Sequence, residues 1–331
     1  MNFQRFEGVQ LESIYCGLPE TISNLASLPI PPTEISRFSS LRDRIGVNST
    51  RVEAYAGELT EICIKVIAQS LDDAGLGLED ISTIVCVTQT NIYTIPGLSS
   101  LIQEKIQFPM STRFIDINQG CSGFVDALQL AAERLTRDRP HALVVTLESM
   151  SSILDPNDFG NRLLFGDATS VTLLSFNDDA EIMRGFMRSD GRNFRGAYLQ
   201  SPYASNKTPT YFVLNGPRIL SLALTAFEEL LVFLKDLNES VDQIDYVIPH
   251  QANRFILDSL IERYSLDSRK FIVEMSDVGN TSCNSIPLAI CIANNTRNVS
   301  NKKCVLLGFG NGLSWGALRI NFGNVRLKLV G

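Results

Sequence analysis

At 331 residues, 44% of them hydrophobic and 20% charged, the chain can bury a large core, and its length allows about two domains. A formal net charge of −7 argues against a nucleic-acid binder, whose surface needs concentrated Lys and Arg, and leaves room only for a local basic patch toward an acidic partner. The seven cysteines include no Cys-x-x-Cys pair, Met1 to Glu7 lacks a basic region followed by an apolar one, and no apolar run approaches ~18 residues, so reduced thiols in a cytoplasmic protein without a membrane span are expected.

The first β-run, Val9 to Cys16, stops at Gly17-Leu18-Pro19, and the Pro-rich stretch from Leu28 leads through Thr33, the expected cap, into a short charged helix. Leu59, Ile62, Cys63, Val66, Ile67 and Leu71 form an apolar stripe that predicts a helix from Glu58 to Ala74, ended by Gly75. A buried strand, Ile81 to Thr88, then a loop from Gln89 to Gly97 and a helix ending near Ile106 follow. The strand Arg113 to Ile117 runs into Asn118-Gln119-Gly120-Cys121-Ser122-Gly123-Phe124, after which Phe124, Leu128, Ala131, Ala132 and Leu135 share one helical face. Cys121 is therefore placed at a helix N-terminus, where unpaired N–H groups and the positive dipole end favour a thiolate. On this stretch alone a nucleophile and a small buried hydrophobe fit equally. Beyond it come a strand from His141 to Leu147, an irregular segment from Asp155 to Gly160, and a strand from Ala168 to Phe176 introduced by Phe165-Gly166-Asp167. Residues 177 to 210 are polar and Gly/Asn-rich, which divides the chain into halves 1–177 and 178–331.

The second half repeats the first. A helix from Pro217 to Leu234 precedes Val241 to Ile248, as Glu58 to Ala74 precedes Leu78 to Val85. A strand at Lys270 to Glu274 is expected before Gly279-Asn280-Thr281-Ser282 and an apolar helix, matching the approach to Cys121. Lys303 to Leu307 and Trp315 to Ile320 echo the strands at 142–146 and 168 onward. Such alternation implies layered α/β architecture. If the halves face each other about a pseudo-two-fold, three strand ends converge, carrying Cys121, His250-Gln251-Ala252-Asn253 and Gly279-Asn280. His141, after Arg139-Pro140 at a strand entrance, reads as a surface residue. His250 alone fits either a satisfied core histidine or a catalyst, and its strand-end position with Asn253 and Asn280 beside it favours the second.

These residues carry a family resemblance. The Gly-Cys-Ser-Gly-Phe elbow at Cys121, His250-Gln251-Ala252-Asn253, Gly279-Asn280-Thr281-Ser282 and Gly308-Phe309-Gly310-Asn311-Gly312 resemble, in family order, β-ketoacyl-acyl-carrier-protein synthase III. Arg44-Ile45-Gly46-Val47 and Phe165-Gly166-Asp167 extend the resemblance over almost the whole chain. It implies a thiolase-like five-layer α/β/α/β/α fold of two duplicated halves, usually a homodimer, needing neither metal nor organic cofactor. It also implies a reaction. An acyl-CoA or acyl-carrier thioester would acylate Cys121, with the oxyanion held by backbone N–H groups of Cys121 and the Gly310, Asn311 and Gly312 loop. Malonyl-acyl carrier protein would then lose CO2, His250 and Asn280 donating hydrogen bonds to the enolate, and the carbanion would attack the acyl thioester to give a 3-oxoacyl product. Phe309 would present an apolar edge to the malonyl carboxylate or act as a packing aromatic.

Departures from the family pattern bear on the substrates. Ser40 and Phe159 stand nearest the aromatic and the arginine that sandwich the coenzyme A adenine in familiar members, which weakens the case for an acyl-CoA donor. Ile95 replaces a bulky aromatic of the acyl-pocket loop, so the pocket is expected to accept more than acetyl, and Asn311 replaces a glycine of the oxyanion loop. The family's carrier-docking arginine falls where this chain has Phe255, and Arg254 is the nearest candidate for a docking cation, equally readable as a solvated arginine near a helix start. Phe159, Asn253 and Arg254 are thus the candidate coenzyme or carrier contacts. Two other functions compete: an acyltransferase forming an ester or amide, and a non-catalytic partner subunit, against which retention of the three catalytic residue types speaks.

Overall fold

The apolar stripes and runs read above become helices that cover two sheets, seen in a computed structural model that describes residues 3–201, 210–310 and 314–330. In chain order the elements are β1 Gln4–Phe6, β2 Val9–Gly17, β3 Ile22–Asn24, α1 Ile35–Ile45, β4 Ser49–Arg51, α2 Glu58–Ala74, β5 Ile81–Val87, α3 Leu98–Ile106, β6 Arg113–Ile117, α4 Gly123–Ala132, β7 His141–Glu148, α5 Phe159–Leu164 and β8 Ala168–Phe176. The second half adds β9 Met183–Ser189, β10 Ala197–Tyr198, β11 Val213–Leu214, α6 Gly216–Asp236, β12 Tyr246–Pro249, α7 Arg254–Arg263, α8 Ser285–Ala293, β13 Lys303–Gly310, β14 Ser314–Asn321 and β15 Arg326–Val330.

One sheet has the order β15-β2-β8-β7-β5-β6 and the other β1-β9-β14-β13-β12. In both, the inner strands pair alike: β2 with β8 and β8 with β7 are antiparallel, as are β9 with β14 and β14 with β13, while β7 with β5 and β13 with β12 are parallel. Helices α2 and α3 cover the outer face of the first sheet, α6 the outer face of the second with α7 beside it, and α4 and α8 lie between the sheets. The result is five layers, α/β/α/β/α, from two duplicated halves. Being enclosed on every side, α8 is apolar all round, with Ile286, Leu288 and Ile290 buried. The two sheets trade their outermost strands: β1 of the N-terminus joins the second sheet and β15 of the C-terminus the first, so sheet membership departs from a division at 177/178 at both chain ends.

Four local expectations change. Thr33 does not cap a helix, because Pro32–Glu34 forms a 3-10 turn and α1 begins at Ile35 without a side-chain cap. The segment expected to be irregular from Asp155 to Gly160 contains the start of α5, since Asp158 Oδ1 accepts the Asn161 N–H at 3.1 Å and opens a helix at Phe159. The polar stretch after 177 holds β9, whose Met183, Gly185 and Phe186 are buried beside β14. The strand expected at Lys270 to Glu274 reduces to one bridge, Val247 to Phe271. Here the Gln251 side chain replaces a backbone partner: its amide N–H donates to Ile272 O at 3.1 Å and its carbonyl accepts the Glu274 N–H at 2.9 Å.

Candidate active site

Each half delivers its site residues on the turn that precedes a buried helix. In the first, Gly123 N–H donates to Gly120 O at 2.7 Å, closing a tight turn that holds half-buried Cys121 just ahead of α4. The turn lies directly on β13. A Cβ added to Gly310 would stand 2.5 Å from Cys121 Cβ and 3.0 Å from its sulfur, so only glycine lets the strand pass beneath the thiol. In the second half, Gly279 adopts φ +71° and lies against Leu164 O, and the Asn280 backbone bridges to Phe165, donating to Leu164 O at 2.8 Å and accepting from Gly166 N–H at 3.1 Å. The third element is β12, whose parallel pairing with β13 continues until the His250 N–H donates to Leu307 O at 2.8 Å. The imidazole thus follows directly on a short strand whose last three residues are buried.

Hydrogen bonds settle how these groups present themselves. His250 is 2% exposed, and burial pushes its pKa down from 6.5 to about 3, so the ring is neutral at neutral pH. Ser285 Oγ lies 2.7 Å from His250 Nδ1 and accepts the Gln251 N–H at 3.3 Å, which holds the ring in place; with the Ser285 hydroxyl donating to Nδ1, the ring proton resides on Nε2. The Asn280 carboxamide is held from both ends: Oδ1 accepts the Ser282 N–H at 2.9 Å, and Nδ2 donates to Ala252 O at 3.1 Å, leaving a second N–H for a ligand. Phe309 meets the imidazole edge-on with ring centroids 5.3 Å apart.

Cys121, His250, Asn253, Asn280, Phe309 and Gly310 all line one cleft of about 500 Å³. Asn311 and Gly312 lie outside the described residues. Asn253 enters the cleft as the cap of α7, its Oδ1 accepting the Ile256 N–H at 2.9 Å. Ile95 does not line this cleft; it is 85% exposed on the loop before α3. Phe159 packs edge-on against Phe38 at 5.7 Å, with the Arg37 guanidinium 5.3 Å from the Phe38 ring. Arg254 is turned back along its own helix into an ion pair with Asp258 at 2.8 Å. One residue on, Phe255 is 40% exposed and carries the Arg44 guanidinium of α1 at 4.3 Å. Among the described residues no cluster of three or more His, Cys, Asp or Glu side chains is placed to hold a metal ion, and no helix is long and apolar enough to cross a membrane.

Several contributors escape a reading of motifs. Ser285 orients the imidazole, and Met150, Leu164, Phe212 and Ile219 supply the apolar wall. Met150 and Phe212 also border a second cleft of about 800 Å³, lined as well by Gln89, Asn118, Ile153, Phe194 and Leu199. The only signal for Ser285 was its place in the repeated elbow; the wall residues lie far apart in sequence and carried none.

The family described as 3-oxoacyl-[acyl-carrier-protein (ACP)] synthase III matches residues 115–191, and its C-terminal counterpart residues 234–322. A beta-ketoacyl-[acyl-carrier-protein] synthase III of Clostridium perfringens is 32% identical over 291 residues, covering 85% of this chain and 89% of the relative. One of Clostridium beijerinckii is 31% identical over 310 residues, with 88% and 95% covered. The crystal structure of a 3-oxoacyl-(acyl-carrier protein) synthase of Burkholderia xenovorans superimposes with a TM-score of 0.91 at 25% identity, covering 99% of this chain and 98% of that one. With relatives of this likeness over most of its length, the chain belongs to the 3-oxoacyl-[acyl-carrier-protein] synthase III family of acyl-transferring condensing enzymes.

Proposed function

We propose that this chain is a condensing enzyme that takes an acyl group from a phosphopantetheine thioester onto Cys121 and joins it to malonyl-acyl carrier protein with loss of CO2, forming a 3-oxoacyl-carrier product that starts an acyl chain. One observation carries the reading: of seven cysteines, Cys121 alone is not buried, and it opens into the same cleft as a neutral imidazole and a fixed carboxamide. In the first half-reaction the thiolate attacks the thioester carbonyl at the positive end of α4, and backbone N–H groups of Cys121 and the Gly310 loop receive the developing oxyanion. In the second, decarboxylation leaves an enolate. His250 Nε2–H and the second Asn280 N–H donate to its oxygen, and because both donors are neutral and already oriented, little reorganisation opposes charge build-up. The apolar edge of Phe309 disfavours the malonyl carboxylate and so favours its loss.

Residues 1–177 contribute the nucleophile and 178–331 the donors. Met150 and Phe212, standing between the two clefts, bound the space for the acyl chain. The carrier protein, an acidic partner, meets the mouth of the cleft at α1 and α7, where Arg44 and Arg254 are exposed to it. A homodimer is supported by the free edge of β6, which ends the first sheet beside exposed Tyr93, Ile95 and Met110. Pairing of two such edges across a two-fold axis makes one continuous sheet. The test is to incubate the protein with acyl-CoA and acyl-carrier thioesters and weigh it intact. A mass increase of one acyl group, lost on adding malonyl-carrier with release of a 3-oxoacyl product, is expected; acyl loading discharged only by an alcohol or amine would replace condensation by ester or amide formation.

A further inference from the structure

Ser282 has φ +53°, in the left-handed region that serine avoids. The other described non-glycine residues of positive φ, Gln107, Asn238, Ser265 and Asn301, stand at helix ends or turns outside the cleft, whereas Ser282 lines it and is 2% exposed. A residue kept in an unfavourable conformation at a reactive site invites the question of what the conformation achieves. Here it accomplishes two things. The backbone N–H is aimed at Asn280 Oδ1, 2.9 Å away, and the hydroxyl is brought to 3.9 Å from the Cys121 sulfur, which is its hydrogen-bond partner among the described residues. Glycine would meet the backbone demand without steric cost, so the side chain must be explained by what the hydroxyl touches.

We infer that Ser282 is a positioning residue that serves both halves of the site: its hydroxyl donates to the Cys121 thiolate, holding the sulfur toward the cleft, while its N–H fixes the carboxamide that will receive the enolate. The inference deepens the proposed condensing reaction by adding a fourth side chain to Cys121, His250 and Asn280. A sulfur that ionises beside a buried hydroxyl draws that hydroxyl's proton toward itself, and the stabilisation disappears once the sulfur becomes a thioester. Ser282 therefore favours the thiolate of the free enzyme over the acylated form and over the neutral thiol.

Among the described residues, His250, on the loop after β12, shares the cleft with the sulfur, and Cys283, on the second elbow, interacts with it, with Glu148 of β7 behind Cys283. His250 stays neutral and Cys283 stays protonated across the neutral range, and Glu148 is common to parent and variant, so a difference between them reports on Ser282.

Alkylation of the intact protein by iodoacetamide, followed from pH 5 to 10 by mass and located by peptide mapping, tests the contact without any acyl substrate. Ser282→Gly keeps the backbone conformation and the N–H; Ser282→Ala removes the hydroxyl but leaves the backbone cost. Both are expected to move the alkylation midpoint up by about one pH unit and to slow alkylation about tenfold at pH 7, with rates converging at high pH. Thermal melts of both variants confirm that the comparison is made on folded protein. A Ser282→Gly profile that superimposes on the parent overturns the inference, as does a shift seen in Ser282→Ala alone, which would assign the effect to the backbone. Failure of Cys121 to alkylate in the parent overturns it together with the nucleophile assignment. A shifted profile in an enzyme that loads acyl groups but never condenses would uphold the Ser282 contact and refute the condensing reaction.

Discussion

The two elbows occupy equivalent places in the duplicated halves, yet each exposes a different atom to the cleft. Ahead of α4 the turn presents a sulfur. Ahead of α8 it presents the Asn280 carboxamide, and the cysteine of that elbow, Cys283, faces inward, 1% exposed, with its sulfur 3.8 Å from both Val87 O and Glu148 Oε1. Burial pushes the Cys283 thiol well above its ordinary pKa. The position on a strand-to-helix turn is therefore not what makes a thiol reactive. What separates the two sulfurs is access to water, and the duplicated fold uses the difference to place a nucleophile on one side and hydrogen-bond donors on the other.

The largest effect should come from deleting the reactive member of the pair. Cys121→Ser is expected to lower acyl loading by ~10⁴-fold or more, while Cys283→Ala retains it, as read by intact mass after incubation with an acyl thioester. Loading that follows Cys283 would break the comparison outright. Next in size are the donors of the second elbow and its neighbour: His250→Ala and Asn280→Ala should each slow malonyl-carrier decarboxylation by ~10²–10³ while part of the self-acylation survives. Parent-like decarboxylation in both variants would exclude the condensing mechanism, and dispensability of Asn280 alone would favour acyl transfer to an alcohol or amine.

The third test concerns stability. Glu148 is fully buried behind Cys283, accepting from the Gln89 N–H at 3.0 Å and the Thr90 hydroxyl at 2.9 Å, and burial raises its pKa from 4.5 to about 8. Between those values the folded protein holds a proton that the unfolded chain releases, so stability declines as pH rises through the window, by on the order of a few kcal/mol. His250 acts oppositely. Its folded pKa near 3 lies below 6.5, so the unfolded chain binds a proton the folded one refuses, and stability declines as pH falls from 6.5 toward 3. Melting temperatures measured from pH 5 to 9 should fall on the alkaline side in the parent and run flatter in Glu148→Gln; parallel curves would show that Glu148 is ionised in the folded state and that Cys283 faces a full charge.

The smallest effect belongs to the mouth above the elbows. Arg254 is tied to Asp258 in an exposed pair worth less than ~1 kcal/mol, so it can be drawn away at little cost. Arg254→Glu should raise KM for a carrier-bound substrate several-fold and leave that for a free pantetheine thioester unchanged, because only the former uses the docking surface. A larger effect from Arg44→Glu would place the docking cation on α1, over Phe255.

Much was legible in the chain before any fold was known. The stripe from Leu59 to Leu71 and the glycine at 75 define α2, the apolar run at 168–176 defines β8, and the elbow at Cys121 announces itself by small residues between a β-run and a helical face, because each is a local pattern whose period or stop is carried by adjacent residues. The repeat was visible for the same reason. What required the tertiary structure were features made by residues distant in sequence. Gln251 takes the place of a strand partner, Ser285 holds the His250 ring, Met150 and Phe212 shape the cleft, and β1 and β15 cross to each other's sheets. The choice between Cys121 and Cys283 belongs with these: both follow an elbow in the sequence, and only packing decides that one sulfur meets the cleft while the other is sealed against a carboxyl group, since solvent access and local charge depend on everything that surrounds an atom and not on its neighbours along the chain.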